Sequence, residues 1–339
     1  MLIGEAFCVS PFFVMLNFIK IDVHVWKLKI LFVPLHPDSK QQQTIKIMSQ
    51  ISKKAYDYRQ NELNRLKNIK WNGYASTLRE VGVSYIGGIN VSSKLKKNEK
   101  VNVMTYCVYL AAADNAFGME VCNKQTSRAC RKHCLVNSGH NKVDYLAGKH
   151  GVQDARNKRT LLYFANRDVF CKLLDHEIQS AMAKAKRNGY LFSIRFNCTS
   201  DIPLTTLNKF PNGQNILERY NGVKIYDYTK RSINLKIAEQ YPNYHVVLSY
   251  YKGNESLAKE WLKKGNSIAV VFGVTDASQF PKKFMGYEVI NGDLYDARFL
   301  DKKNCVVGLK YKVGKQDFKK VNGKYVFKGI PKSDLIVQV

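Results

Sequence analysis

The order of elements in this sequence predicts an α/β protein: a partial or complete (β/α) barrel with parallel strands and a cysteine-rich loop after the first barrel strand. Three observations carry that prediction. Beyond about residue 100, short runs rich in Val, Ile, Tyr and Phe alternate with stretches of helical periodicity. Those runs end on polar residues one after another, as barrel strands do when their carboxyl ends converge on a working face. No Gly-x-Gly-x-x-Gly follows any run and no Gly-x-x-x-x-Gly-Lys-Ser/Thr occurs, which disfavours dinucleotide-binding and P-loop folds.

The elements follow in chain order. Residues 1–47 are apolar and without a clear period. Their uncharged run from Ala6 to Ile19 is shorter than the ~18 residues of a membrane span. Glu5 stands where a signal peptide carries cations. The segment reads as an N-terminal extension, either an extra strand pair or the product of a mis-assigned start ahead of Met48. Residues 48–100 form a basic helical lead-in, 101–314 a barrel-like catalytic or binding domain, and 315–339 a basic C-terminal β segment.

Within the central domain, VMTYCVYL (residues 103–110) is a buried strand, and the cysteine loop follows it. Residues 154–188 read as one or two amphipathic helices, because Phe170, Leu173, Leu174, Ile178 and Ala181 share a face. Asn188-Gly189 stops the pattern. Further strands are expected at residues 190–197, 222–228, 244–251, 267–273, 287–291 and 305–312, with a helix at 256–264. The polar residues at or beyond their ends include Asn197, Asp201, Asp227, Lys230, Asp296 and Arg298. Each alone is an ordinary cap or turn former; their recurrence makes them candidates for substrate orientation and proton transfer.

The stretch VCNKQTSRACRKHCLVNSGH (residues 121–140) concentrates Cys122, Cys130 and Cys134. Thiolates on one loop suit a soft or borderline metal, and Cys107 on the preceding strand offers a fourth ligand. Four thiols fit either structural zinc or an iron–sulfur cluster, while three leave one iron open for cofactor chemistry. Nearby Arg128, Arg131 and Lys132 favour the thiolate form. Cys171 and Cys305 read as core, and Cys198 as a thiol at a strand end. A chain this long with bunched cysteines does not read as a secreted disulfide framework, and a reducing compartment is expected.

The charge points the same way. Against 27 acidic residues stand 54 Lys and Arg, a formal net charge of +27. Such an excess calls for an anionic partner, with DNA or RNA ahead of a membrane surface. Lys124, Arg128, Arg131, Lys132, Arg156 and Arg159 are dense around the loop and are the candidate nucleic-acid contacts. Tyr106, Tyr109 and Tyr163 could stack bases but fit core positions better.

Several segments together resemble a family of bacteriophage proteins called gene product 88. They are residues 105–139, ARNKRT (155–160), IRFNCTSDIP (194–203), YDYTK (226–230), GYEVINGDLYDARFLD (286–301) and VVGLKYKVG (306–314). The resemblance spans about residues 85–330 and implies a phage origin, hence the host cytoplasm or the virion. The cysteine loop is also similar to that of phage proteins of the radical S-adenosylmethionine type, where Cys-x6-Cys-x2-Cys-Tyr-Ala follows the first barrel strand. Here each gap is one residue longer, the tail is CLVNSG, and no Gly-Gly-Glu follows the next strand. That likeness implies an iron–sulfur cluster; the missing Gly-Gly-Glu argues against S-adenosylmethionine. Two functions compete on these grounds. One is a cluster-bearing barrel acting on nucleic acid or nucleotides. The other is a zinc-stapled basic protein that binds nucleic acid, or accompanies the genome in the virion, without catalysis.

Overall fold

The computed structural model describes residues 15–19, 28–32, 39–113, 116–122, 130–131, 133–134, 151–314, 317–322 and 324–339. The chain divides into two compact units, Met1–Glu62 and Leu63–Val339. The first holds an antiparallel pair, β1 (Met15–Ile19) and β2 (Leu28–Phe32), with Met15 opposite Phe32. Helix α1 (Ser39–Lys67) begins in this unit and ends in the second. It starts nine residues before Met48, so the basic helical stretch reaches back into the apolar extension. Arg65 and Lys67 in its last turn oppose the negative end of the helix dipole.

The second unit is built on a ten-stranded sheet. After helix α2 (Tyr74–Val81) come β3 (Gly87–Ile89), α3 (Ser93–Lys96) and β4 (Val103–Val108). Helices α4 (Gly151–Ala165) and α5 (Arg167–Arg187) lead to β5 (Leu191–Arg195). Of the one or two helices expected here the chain forms two, divided at Asn166. Its side-chain oxygen accepts the Val169 N–H as an N-cap, while its amide donates to the carbonyls of Leu66 and Ile69. The remaining units are α6 (Ile216–Arg219), β6 (Lys224–Thr229), α7 (Ser232–Gln240), β7 (Tyr244–Ser249), α8 (Glu255–Lys263) and β8 (Ile268–Phe272). Then come β9 (Lys283–Phe284), β10 (Tyr287–Asn291) and β11 (Val306–Lys310), a β12–β13 hairpin (Phe318–Val321, Lys324–Phe327) and β14 (Ile336–Val337).

Strands β4 to β8 lie side by side in chain order, all parallel, and β11 and β10 extend the parallel run. Short β3 and β9 add antiparallel edges. Among the described residues no ladder joins β3 to β9. The expected α/β class with parallel strands is therefore what the chain adopts. Near the carboxyl end of β8, its pairing passes from β7 (Leu248, Ser249) to β14 (Ile336, Val337). The C-terminal strand thus enters the sheet where β7 and β8 part.

A parallel march in one direction, with right-handed crossovers, places its helices on one face. Tyr106, Ile194, Ile225, Val246 and Val270 point to that face. They form one buried cluster with Phe170, Leu174 and Ile178 of α5, Leu235 of α7 and Trp261 of α8. Each such side chain contributes roughly 1.5–3 kcal/mol by leaving water. The period of two sends their neighbours to the opposite face. There Cys107 stands opposite Arg195, and Tyr226 opposite His245. A smaller apolar patch of Val247, Ala269, Cys305 and Val307 completes that surface.

One carboxylate fixes α5 to the β3 edge. Glu177 accepts the backbone N–H groups of Ile86 and Gly87, both at 2.8 Å, and the hydroxyls of Tyr74 (2.9 Å) and Tyr106 (2.6 Å). Tyr106 is therefore core. Among the described residues no helix is long and apolar enough to cross a membrane.

Candidate active site

The polar strand ends divide by face into two networks. On the helix face, Asp227 of β6 accepts the Asn197 backbone N–H (2.7 Å), the Asn197 amide (3.0 Å) and the Tyr244 hydroxyl (3.3 Å). Asn197 also closes its own loop, donating to the Ile202 carbonyl and accepting from Ser200 and the Ile202 N–H. Asp201 accepts from the Thr229 hydroxyl (2.5 Å), the Lys230 backbone N–H (2.9 Å) and the Asn234 amide (2.8 Å). Burial pushes the Asp227 carboxyl up to about 7, against the pull of its Asn197 donors. Burial raises Asp201 as well, against Thr229 and the Lys230 N–H. Asp227 is fully buried and each of its oxygens is met by a donor. This network locks the β5–β6 connection.

On the opposite face, Asp296 lies in the loop between β10 and β11, fully buried. Lys94 of α3 pairs with its Oδ1 at 2.9 Å and Arg195, the last residue of β5, with its Oδ2 at 2.5 Å. The hydroxyls of Tyr226 and Tyr228 donate to the same carboxylate at 3.3 and 3.2 Å. Asn98 takes the backbone N–H groups of Asp296 (2.6 Å) and Ala297 (3.0 Å) on its amide oxygen. Its amide nitrogen donates to Thr105 and Tyr226. Burial works against the Asp296 charge, but Arg195 and Lys94 outweigh it and hold the carboxyl well below the usual carboxylate range. Burial lowers the Lys94 ammonium, with Asp296 opposing and Arg195 adding to the effect. Arg298, fully buried, pairs with Asp301 at 3.1 Å and donates to the carbonyls of Asp296 and Tyr295. Beside them, burial and the Arg298 charge lower His245 to about 4.

Of the six strand-end candidates, Asp296 and Arg298 share this second network with Lys94, Asn98, Arg195, Tyr226 and Tyr228. Asn197, Asp201, Asp227 and Lys230 belong to the helix-face network. Sequence reasoning counts Lys94 only among the basic residues that could meet phosphate and misses Asn98, because both come from the lead-in, about 200 positions from Asp296 along the chain. The alternation of β5 and β6 was the available signal for Arg195 and Tyr226.

Of the thiol loop, Cys122, Cys130, Arg131, His133 and Cys134 are described, whereas Lys124, Arg128, Lys132 and His140 lie outside the described residues. Cys122 accepts the Ala113 N–H at 3.3 Å, and the Val121 carbonyl takes the Asp201 N–H at 2.9 Å. His133 meets the Tyr311 hydroxyl at 3.0 Å, just past β11. The loop is thus anchored at points beyond the carboxyl ends of both β5 and β11. All three loop thiols are half-buried and free of disulfides. Burial raises the Cys122 thiol, and charge on Cys134 and Cys130 would raise it further, so the three share one neighbourhood. Among the described residues no three Cys, His, Asp or Glu side chains already surround a common point as a metal would need. Cys107 is fully buried; its thiol meets the Gly88 carbonyl at 3.3 Å and has Cys198 as its thiol neighbour.

Three arginines proposed for nucleic acid are engaged internally. Arg131 pairs with Glu120 at 2.6 Å. Arg159 donates to the carbonyls of Tyr85 and Tyr109, both at 3.1 Å, and stacks on the Tyr85 ring. Arg156 lies over the Tyr109 ring, close enough to Cys134 and Cys198 to feel their charge. Both α4 arginines are less than one-tenth exposed.

Residues 89–324 match the family model described as Gene product 88, and the chain belongs to that family. No curated protein and no solved structure matches it.

Proposed function

We propose that this member of the phage Gene product 88 family is an enzyme acting on nucleic acid or nucleotides in the host cytoplasm. In this reading the sheet curves into a partial (β/α) barrel. Substrate lies on the face lined by Lys94, Arg195 and Asp296, and Cys122, Cys130 and Cys134 hold a metal beside it. One observation carries the proposal: the thiol loop is anchored beyond β5 and β11, through Val121 and His133, at the strand ends where Arg195 and the Asp296 loop also lie. Active sites of parallel α/β folds gather at that end.

The thiols fit a metal by their chemistry. They are half-buried and share one neighbourhood, and a metal would displace the proton that burial favours on Cys122. An iron–sulfur cluster would supply electron transfer, or with S-adenosylmethionine radical chemistry of the kind the loop resembles; zinc would supply a structural staple. The protein's own groups do the rest. Lys94 and Arg195 orient an anionic substrate, Asp296 fixes both cations, and the Tyr228 ring packs against both. His245, held neutral, can accept a proton. Arg298 braces the loop that carries Asp296.

The second reading, a zinc-stapled nucleic-acid-binding or virion protein, is favoured by the net charge of +27. Quantifying iron and zinc in anaerobically purified protein, with and without Cys122, Cys130 and Cys134 changed to Ser, decides between them. Iron that disappears in the triple variant is expected. Stoichiometric zinc without iron transfers the case to the second reading, and no metal in either protein contradicts ligation by the loop.

A further inference from the structure

We infer that the face opposite the helices carries a pocket for a terminal phosphate, gripped by Arg195, Lys94 and Lys312. The inference rests on the reading of that face as the substrate site, and it names the part of the substrate held there.

The argument begins with charge. Lys94 and Arg195 share one carboxylate, that of Asp296. Arg298 brings no relief, because its partner is Asp301. Burial lowers the ammonium of Lys312, just past β11, and Lys94 and Arg195 lower it further, with Asp293 and Asp296 opposing. The Asp293 carboxylate already accepts the Lys310 N–H at 3.1 Å. Cations therefore outnumber the carboxylates available to them. In water such an excess is screened, but beside buried groups it is costly unless an anion completes the set.

The second observation is a donor without an acceptor. The Arg195 side chain is only 10% exposed. Its Nη1 serves Asp296, but its Nε is buried and makes no hydrogen bond among the described residues. A buried donor in this state costs about 1–3 kcal/mol, more for a charged group. A phosphate oxygen beside Nε would satisfy it, and guanidinium geometry suits that contact. The Tyr228 ring lies 4.9 Å from the Lys94 ammonium and 4.8 Å from the Arg195 guanidinium, so one aromatic ring serves both cations.

Depth selects the kind of phosphate. With Arg195 nine-tenths buried and the Lys94 side chain 20% exposed, a projecting group can reach them while a duplex backbone cannot. A monoester at the end of a nucleotide or strand meets both conditions.

Calorimetric titration of the full chain at fixed ionic strength tests this. The probes are 5′-AMP, adenosine, and a short single-stranded oligonucleotide with either a 5′-phosphate or a 5′-hydroxyl. AMP is expected to bind roughly tenfold or more tightly than adenosine, and the phosphorylated strand more tightly than its hydroxyl-ended twin. Lys94→Gln should weaken AMP binding about tenfold, and the more exposed Lys312→Gln several-fold. Equal affinity for AMP and adenosine, or full AMP affinity in a folded Lys94→Gln protein, overturns the pocket. An unphosphorylated strand that binds as well as its twin overturns the terminal assignment. The titrations need no metal. Failure here with metal retained removes only the pocket, whereas loss of metal with phosphate binding intact removes only the proposed cofactor chemistry.

Discussion

Two carboxylates, Asp227 on the helix face and Asp296 on the other, are shifted in opposite directions. Both are fully buried. Asp227 is met by neutral donors from Asn197 and Tyr244, and burial pushes it up to about 7. Asp296 is met by Arg195 and Lys94, which hold it ionised. Burial alone therefore does not mark a site. The helix-face network is built on neutral donors and leaves only a neutral Asn234 amide oxygen unmet among the described residues, whereas the opposite network keeps cations in excess and a charged guanidinium nitrogen unmet. Strand β6 serves both, sending Asp227 one way and Tyr226 and Tyr228 the other.

The largest effect expected from this contrast is Asp296→Ala. It strands Lys94 and Arg195 without their carboxylate, and urea denaturation should register a loss of about 3–5 kcal/mol. Asp227→Asn replaces an acceptor among donors with a group that is partly a donor itself. It should cost less, about 1–3 kcal/mol.

The two faces should also answer pH in opposite senses. The folded value of Asp227 lies above its ordinary 3.8, so the stability it contributes is complete below that pH and is lost as pH rises toward 7. The deficit of Asp227→Asn should accordingly shrink between pH 4 and pH 7 in stability measurements. His245 behaves in reverse. Its folded value of about 4 lies below the ordinary 6.5, so its contribution is complete above pH 6.5 and is lost as pH falls toward 4. His245→Gln should remove roughly 2 kcal/mol of that acid sensitivity. Parallel pH slopes in the two variants would dissolve the contrast between the faces.

Much of this was legible in the sequence. Alternating strand and helix patterns announced the parallel α/β sheet; residues 103–110, 190–197, 244–251 and 267–273 contain β4, β5, β7 and β8, and 222–228 covers β6 up to its last residue, Thr229. The polar strand ends were visible, but a list of them does not say which face each one takes. That depends on register, and a one-residue step carries a side chain through the sheet. The placement of Lys94 and Asn98 at Asp296 was hidden for another reason. They reach Asp296 only through tertiary packing of a segment that reads locally as basic surface. Glu177 was hidden likewise, inside an ordinary amphipathic helix pattern while it gathers four donors from elsewhere. In Arg156 and Arg159, local charge density suggested phosphate contacts, while the helical period turned both side chains inward.

The central claim is that the face bearing Asp296, and not the helix face, meets the substrate. A direct measurement compares 5′-AMP affinity in Lys94→Gln with that in Thr229→Val, a helix-face change that removes the hydroxyl bonded to Asp201, Arg231 and Asn234. Affinity reduced about tenfold in Lys94→Gln and unchanged in Thr229→Val is the expected result. Unchanged affinity in a folded Lys94→Gln protein, or an equal loss in Thr229→Val, would contradict it.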